Sequence, residues 1–128
     1  MKIEHIAIWV NNLNEMKNFY TKYFNMSCSK IYTNTKKGFS SHFLSFENGA
    51  RIEIMHRNDI YKNKNKKGWT NGLTHFSISV GGKENVDLLT EKIRKDGFYI
   101  FGEPRFTGDG CYESVISDPE GNHIEITA

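Results

Sequence analysis

Two hydrophobic periods alternate along the chain, and the whole alternation occurs twice. Over residues 3–10 the apolar side chains follow a period of two, which predicts a strand with Ile6, Ile8 and Val10 on one face. Met16, Phe19 and Tyr23 then recur at helical spacing behind Asn12, a fair N-cap, predicting a helix over 13–24. Short alternating runs near 28–33, 40–46 and 51–56 read as strands, separated by polar turns such as Lys37-Gly38 and Asn48-Gly49. The same order returns later. A strand over 73–80 precedes a helix over 84–96 that ends at Gly97, and strands follow near 98–102, 111–117 and 123–127. Asp118-Pro119-Glu120-Gly121-Asn122 has the composition of a hairpin turn.

The repetition is in residues as well as in period. Ile3-Glu4-His5-Ile6-Ala7-Ile8-Trp9-Val10 matches Leu73-Thr74-His75-Phe76-Ser77-Ile78-Ser79-Val80 at an offset of 70, and the helical Met16, Phe19 and Tyr23 match Val86, Leu89 and Ile93. Glu47-Asn48-Gly49-Ala50-Arg51-Ile52-Glu53-Ile54 matches Pro119-Glu120-Gly121-Asn122-His123-Ile124-Glu125-Ile126 at an offset of 72, so the second copy has two extra residues in its middle. The duplication predicts one α+β domain over 1–128. It consists of two tandem βαβββ modules, 1–56 and 73–128, joined by a loop over 57–72.

Composition narrows the setting. With 128 residues, 38% hydrophobic and 25% charged, the chain is long enough to bury a core without staples. The longest uncharged apolar run, Ile6 to Val10, is far too short to cross a bilayer, and the start lacks a basic segment followed by an apolar one. Cys28 and Cys111 make neither a disulfide framework nor a closely spaced zinc pair, and read as reduced thiols of a cytoplasmic protein. Five basic residues in 57–72 (Arg57, Lys62, Lys64, Lys66, Lys67) against Asp59 give that stretch +4, so the rest of the chain carries −2 of the overall +2. Charge confined to one loop is a poor footprint for nucleic acid. It suits a solvated connector, or a rim that steers an anionic ligand with Trp69 as its anchor.

Strand parity then selects four ionisable residues. His5 shares a face with Ile3, Ala7 and Trp9, opposite the apolar face expected to pack on the helices. By the same alternation Glu53 lies opposite Ile52 and Ile54, His75 opposite Phe76 and Ile78, and Glu125 opposite Ile124 and Ile126. Both copies thus carry His on the first strand and Glu on the last, on the face turned from the helices. With each sheet curved, the four line a cup whose imidazole and carboxylate donors suit a divalent ion: Ni, Zn or Co, with Mn or Fe also accommodated. His42, His56 and His123 have no histidine counterpart in the other copy and read as structural or rim residues.

This pattern resembles the vicinal oxygen chelate superfamily, which includes glyoxalase I, extradiol dioxygenases and the fosfomycin and bleomycin resistance proteins. The resemblance spans essentially the whole chain and rests on Ile3-Glu4-His5-Ile6-Ala7-Ile8, Thr74-His75-Phe76-Ser77 and the ending Asp118-Pro119-Glu120-Gly121-Asn122-His123-Ile124-Glu125-Ile126. It implies a curved mixed sheet around a metal cup, and a homodimer pairing module one of one chain with module two of the other. Glu53 adds a fourth ligand to the His-His-Glu set of a dioxygenase or transferase, as in bacterial glyoxalase I. Four ligands on an octahedral ion leave two adjacent positions for the oxygens of a hydroxy-ketone or its enediolate. The resemblance makes Glu125 the principal base and Glu53 its counterpart, with His5 and His75 as lasting ligands. The implied activity is a lactoylglutathione lyase-like proton transfer on a small hydroxy-carbonyl substrate such as a thiol adduct. A fosfomycin-resistance-like transferase and a bleomycin-type binding protein are the alternatives. Two positions depart from the glyoxalase I pattern: Trp9 replaces its usual Arg and Arg57 its usual Asn, which points away from glutathione. Trp9 is then a candidate apolar wall and Arg57 a candidate ligand for a substrate carboxylate.

Overall fold

The computed structural model describes residues 1–61 and 67–128 and divides the chain into two compact units, Met1–Lys62 and Asn63–Ala128. Lys62, Lys64 and Lys66 of the basic stretch lie outside the described residues.

In the first unit, β1 (His5–Trp9) is followed by α1 (Leu13–Phe24), then β2 (Ser27–Cys28), β3 (Tyr32–Asn34), β4 (Phe39–Ser45) and β5 (Arg51–Arg57). The predicted cap forms: Asn12 Oδ1 accepts a hydrogen bond from the Glu15 amide at 3.1 Å, satisfying one of the free donors of the first turn. α1 buries Met16, Phe19, Tyr20, Tyr23 and Phe24. Ile8, Leu44, Ile52 and Ile54 are buried on the strands, and Val10 is buried just past β1, as the alternation required. The sheet order is β1-β5-β4-β2, with β3 also paired to β4, and only β1 and β5 run parallel. The single strand expected near 28–33 is two short ones. Between them the Ser29 amide still donates to the Phe43 carbonyl at 2.9 Å, but the returning Phe43 amide bonds the Ser29 hydroxyl at 2.9 Å instead of the backbone, and that hydroxyl donates to the Lys30 carbonyl at 2.9 Å.

The second unit repeats the plan with β6 (His75–Ser79), α2 (Lys83–Lys95), β7 (Ile100–Phe106), β8 (Tyr112–Ser117) and β9 (His123–Thr127), in the sheet order β6-β9-β8-β7. Val86, Thr90 and Ile93 of α2 are buried, as are Phe76, Ile78, Ile116, Ile124 and Ile126 of the strands. Thr90 Oγ1 donates to the Val86 carbonyl at 2.6 Å and meets Ser114 Oγ at 2.7 Å, so a polar contact ties helix to sheet within the core. The predicted turn between β8 and β9 is held by buried Asp118, whose Oδ1 accepts from the amides of Glu120 (3.0 Å) and Asn122 (2.8 Å). β7 runs four residues beyond its expected end despite Pro104, because it is an edge strand whose pairing with β8 is irregular between Gly102 and Arg105.

Candidate functional site

Each unit pairs a first-strand histidine with a last-strand glutamate through the same register. His5 lies opposite Arg51 and Ala7 opposite Glu53, so His5 and Glu53 are diagonal neighbours on one face of parallel strands. His75 lies opposite His123 and Ser77 opposite Glu125, which repeats the relation. His5 Nε2 is 4.0 Å from Glu53 Oε2, and His75 Nε2 is 3.3 Å from Glu125 Oε2. The side chains of both glutamates are 16% exposed. The structure therefore brings together His5 with Glu53 and His75 with Glu125. Among the described residues no group of three or more His, Cys, Asp or Glu side chains is gathered to hold an ion.

The donors fit a divalent cation. Two largely buried carboxylates, each facing an imidazole and neither bonded to Lys or Arg among the described residues, are costly to leave uncompensated. In the first unit the Glu4 carboxylate bonds His5 Nδ1 and the Arg51 guanidinium, which leaves His5 Nε2 turned to Glu53. A second carboxylate on the far ring nitrogen is the usual way a metal-binding imidazole is oriented. The His5 hydrogen bond, with help from Arg51, holds Glu4 below the ordinary carboxylate range.

The second unit differs around its pair. His75 and Glu125 border a cavity of about 370 Å³ whose walls also include Glu113, His123, Phe101 and Arg105. Burial pushes the Glu113 carboxyl up, the neighbouring Glu125 adds to this, and Arg105 opposes it. Arg105 Nη2 donates to Glu113 Oε1 at 3.3 Å. His123 is buried beside Phe101, with ring centroids 4.0 Å apart. Burial, reinforced by His75 and opposed by Asp118, holds His123 below the usual imidazole range.

The remaining candidates fall elsewhere. Trp9 is 44% exposed on the His5 face of β1 and meets Phe39 edge-on at 6.1 Å. Arg57 is held by Asp59 through two bonds of 2.8 and 2.5 Å, which occupies the fork proposed for a substrate carboxylate. His42 and His56 bond the backbone carbonyls of Ser29 and Val10, both at 2.9 Å, in keeping with structural roles. His123 lines the cavity beside His75, consistent with a rim position. Cys28 and Cys111 are free thiols. Lys67 donates to Asn122 Oδ1 at 2.8 Å.

Glu113 and Arg105 were not among the residues singled out by sequence. Their signal is a break in the repeat. Arg105 pairs with Glu113 across β7 and β8, where the first unit pairs Tyr32 with Ser41. An acid and a base appear together in one copy only, but the strand pairing is needed to see them as partners.

Comparison with known proteins decides the family. The Glyoxalase/Bleomycin resistance protein/Dioxygenase superfamily model matches residues 2–126. The chain belongs to that superfamily. It is 29% identical to a probable trivalent organoarsenical cleaving enzyme of Bacillus subtilis (strain 168), over 98% of this chain and 79% of that protein. The fold is shared with the trypanothione-dependent glyoxalase I of Leishmania major (TM-score 0.79, 21% identity, 99% of this chain and 86% of that one). A glyoxylase/bleomycin resistance protein/dioxygenase domain from Frankia sp. EAN1pec is similar too (TM-score 0.83, 16% identity, 99% and 90%). These likenesses agree with the α+β, doubled βαβββ reading. No helix among the described residues is long and apolar enough to cross a membrane.

Proposed function

We propose that this protein is a metal-dependent lyase or isomerase of glyoxalase I type, moving a proton between adjacent carbons of a hydroxy-carbonyl substrate such as a hemithioacetal. The observation that supports it most is the doubled His–Glu pair, set by the same diagonal register in each unit. His5, Glu53, His75 and Glu125 are the proposed ligands of one divalent ion, with Ni, Zn or Co favoured by the donor types. Such an ion supplies Lewis-acid stabilisation of charge developing on the substrate oxygens. Glu125 is the proposed base, carrying the proton from one carbon to the next, and Glu53 is its pseudo-symmetric counterpart. His5 and His75 remain donors throughout, His5 being oriented by Glu4. Members of the superfamily commonly bind a divalent ion, use small-molecule substrates and often dimerise. The working form proposed here is a homodimer, because each unit offers only half of the donor set.

A second reading, cleavage of a trivalent organoarsenical, is favoured by the Bacillus subtilis relative. Trivalent arsenic is a soft centre that binds thiolates. Cys28 and Cys111 are both free thiols and are the residues an arsenical would meet first. An assay of the metal-loaded protein against hemithioacetals of several thiols and against a trivalent organoarsenical separates them. Turnover of a hemithioacetal that is lost on chelation is the expected result. Turnover of the arsenical alone supports the second reading, and turnover of neither with metal bound contradicts both.

A further inference from the structure

We propose that the cavity of the second unit seats an aromatic group carrying an anion, with Phe101 and His123 as its aromatic wall and Arg105 as its anion anchor. The proposal deepens the metal reading above and rests on it, since that reading places the reacting end of the substrate beside His75 and Glu125.

Two glycines build the two halves of this cavity. A Cβ on Gly68 would stand 2.4 Å from His123 Nδ1, and the Gly68 φ of +77° already disfavours any other residue. The backbone therefore lies directly against the imidazole. It delivers the next residue, Trp69, to Phe101, with ring centroids 6.5 Å apart and planes tilted by 43°. Phe101 in turn is tilted by 44° on His123. These distances lie within the range at which rings attract one another, and the tilts leave a notch rather than a closed stack. Trp69 is 72% exposed and Phe101 42% exposed, so apolar ring faces are left bare at the cavity. Bare aromatic surface around a concavity is the usual sign of a ligand seat.

The other half is polar. A Cβ on Gly102 would come 3.1 Å from Arg105 Nη1, so glycine leaves room for the guanidinium along the strand. Arg105 uses its donors sparingly: one bond of 3.3 Å to Glu113 and one of 3.5 Å to the Glu103 carbonyl. Arg94, by contrast, is bonded at 2.9 Å to Glu91 and 2.5 Å to Glu103. A guanidinium with weakly used donors beside a cavity is suited to a planar carboxylate. With a divalent ion on the proposed ligands, the charge of the ion and Arg105 balances that of Glu53, Glu113 and Glu125, so no net negative charge opposes an incoming anion. The volume of about 370 Å³ suits one ring with short substituents.

Titration calorimetry of the zinc-loaded protein with benzoate, cyclohexanecarboxylate and benzamide tests both halves. Benzoate is expected to bind about fivefold more tightly than cyclohexanecarboxylate, through ring–ring contact. It should bind about tenfold more tightly than benzamide, through the guanidinium. Phe101→Leu should erase the first preference and keep the second, and Arg105→Gln should do the reverse. That crossed pattern does not arise from misfolding. Equal binding of benzoate and cyclohexanecarboxylate by the unaltered protein overturns the aromatic wall. A charge preference that survives Arg105→Gln means that the metal alone holds the carboxylate, and overturns the anchor. Metal content is measured on the same samples, and the titrations are repeated after chelation, where the ring preference should persist. Ring preference in a protein that takes up no metal sinks the metal reading alone. Bound metal without either preference sinks the present proposal alone.

Discussion

His75 and Glu125 stand on adjacent parallel strands two residues out of direct register, with Nε2 and Oε2 3.3 Å apart. His5 and Glu53 hold the same relation in the first unit, at 4.0 Å. A duplicated module explains why the geometry recurs, but not why both copies keep ionisable residues there. Strand faces in general carry any polar residue, and two buried carboxylates facing imidazoles carry a desolvation cost that a bound cation offsets. The two pairs also have different neighbours. Glu4 orients His5, whereas Thr74 takes that place before His75, and Glu113 with Arg105 stands by Glu125 alone. A pseudo-symmetric donor set with unequal surroundings is suited to unequal roles for its two glutamates.

The proposed homodimer predicts complementation. His5→Gln/Glu53→Gln and His75→Gln/Glu125→Gln chains are each expected to bind little metal alone. After mixing under subunit exchange they should regain about a quarter of normal metal content, since half the dimers are mixed and each holds one intact set. No recovery, in mixtures shown to contain mixed dimers, contradicts the pairing of opposite modules.

The polar contact inside the second unit has a measurable weight. Thr90→Val leaves the buried Ser114 hydroxyl without its partner at 2.7 Å, and should cost about 1–3 kcal/mol in urea unfolding. Adding Ser114→Ala should restore most of that loss, because both polar atoms are then gone. A double variant as unstable as Thr90→Val would mean that packing, not the unpaired hydroxyl, sets the cost.

The basic stretch offers a kinetic test. Replacing Lys62, Lys64, Lys66 and Lys67 by Gln should lower kcat/KM for an anionic substrate at low ionic strength. The curves should converge with the unaltered protein as salt rises. Superimposable curves at every salt concentration would leave the stretch as a connector.

Much of the fold was legible because it is written twice. His5 and His75, Glu53 and Glu125, and the apolar positions behind them repeat at nearly constant offset, and alternation alone assigns their faces. Asn12 and Asp118 act as the cap and turn their residue types suggest. The illegible parts are those where one copy departs from the other. The extended β7 tolerates Pro104 only because it is an edge strand, which depends on sheet order rather than on composition. His123 lies two residues before Glu125 on β9, so alternation already places it on the same face, but Arg105 and Glu113 become partners only through the pairing of β7 with β8. Non-local neighbours of this kind have no period to betray them. Arg57 shows the converse: a residue chosen by its distance in sequence from Glu53 is tied up by the nearby Asp59.

His5, Glu53, His75 and Glu125 are proposed to bind one divalent ion. The most direct test is the equilibrium affinity for zinc of the unaltered protein, Glu53→Gln and Glu125→Gln, measured by competition with a chelator of known affinity. One ion per donor set is expected, with a loss of at least about tenfold in affinity for each variant, Glu53→Gln included. An ion bound with the same affinity by all three proteins would contradict that proposal.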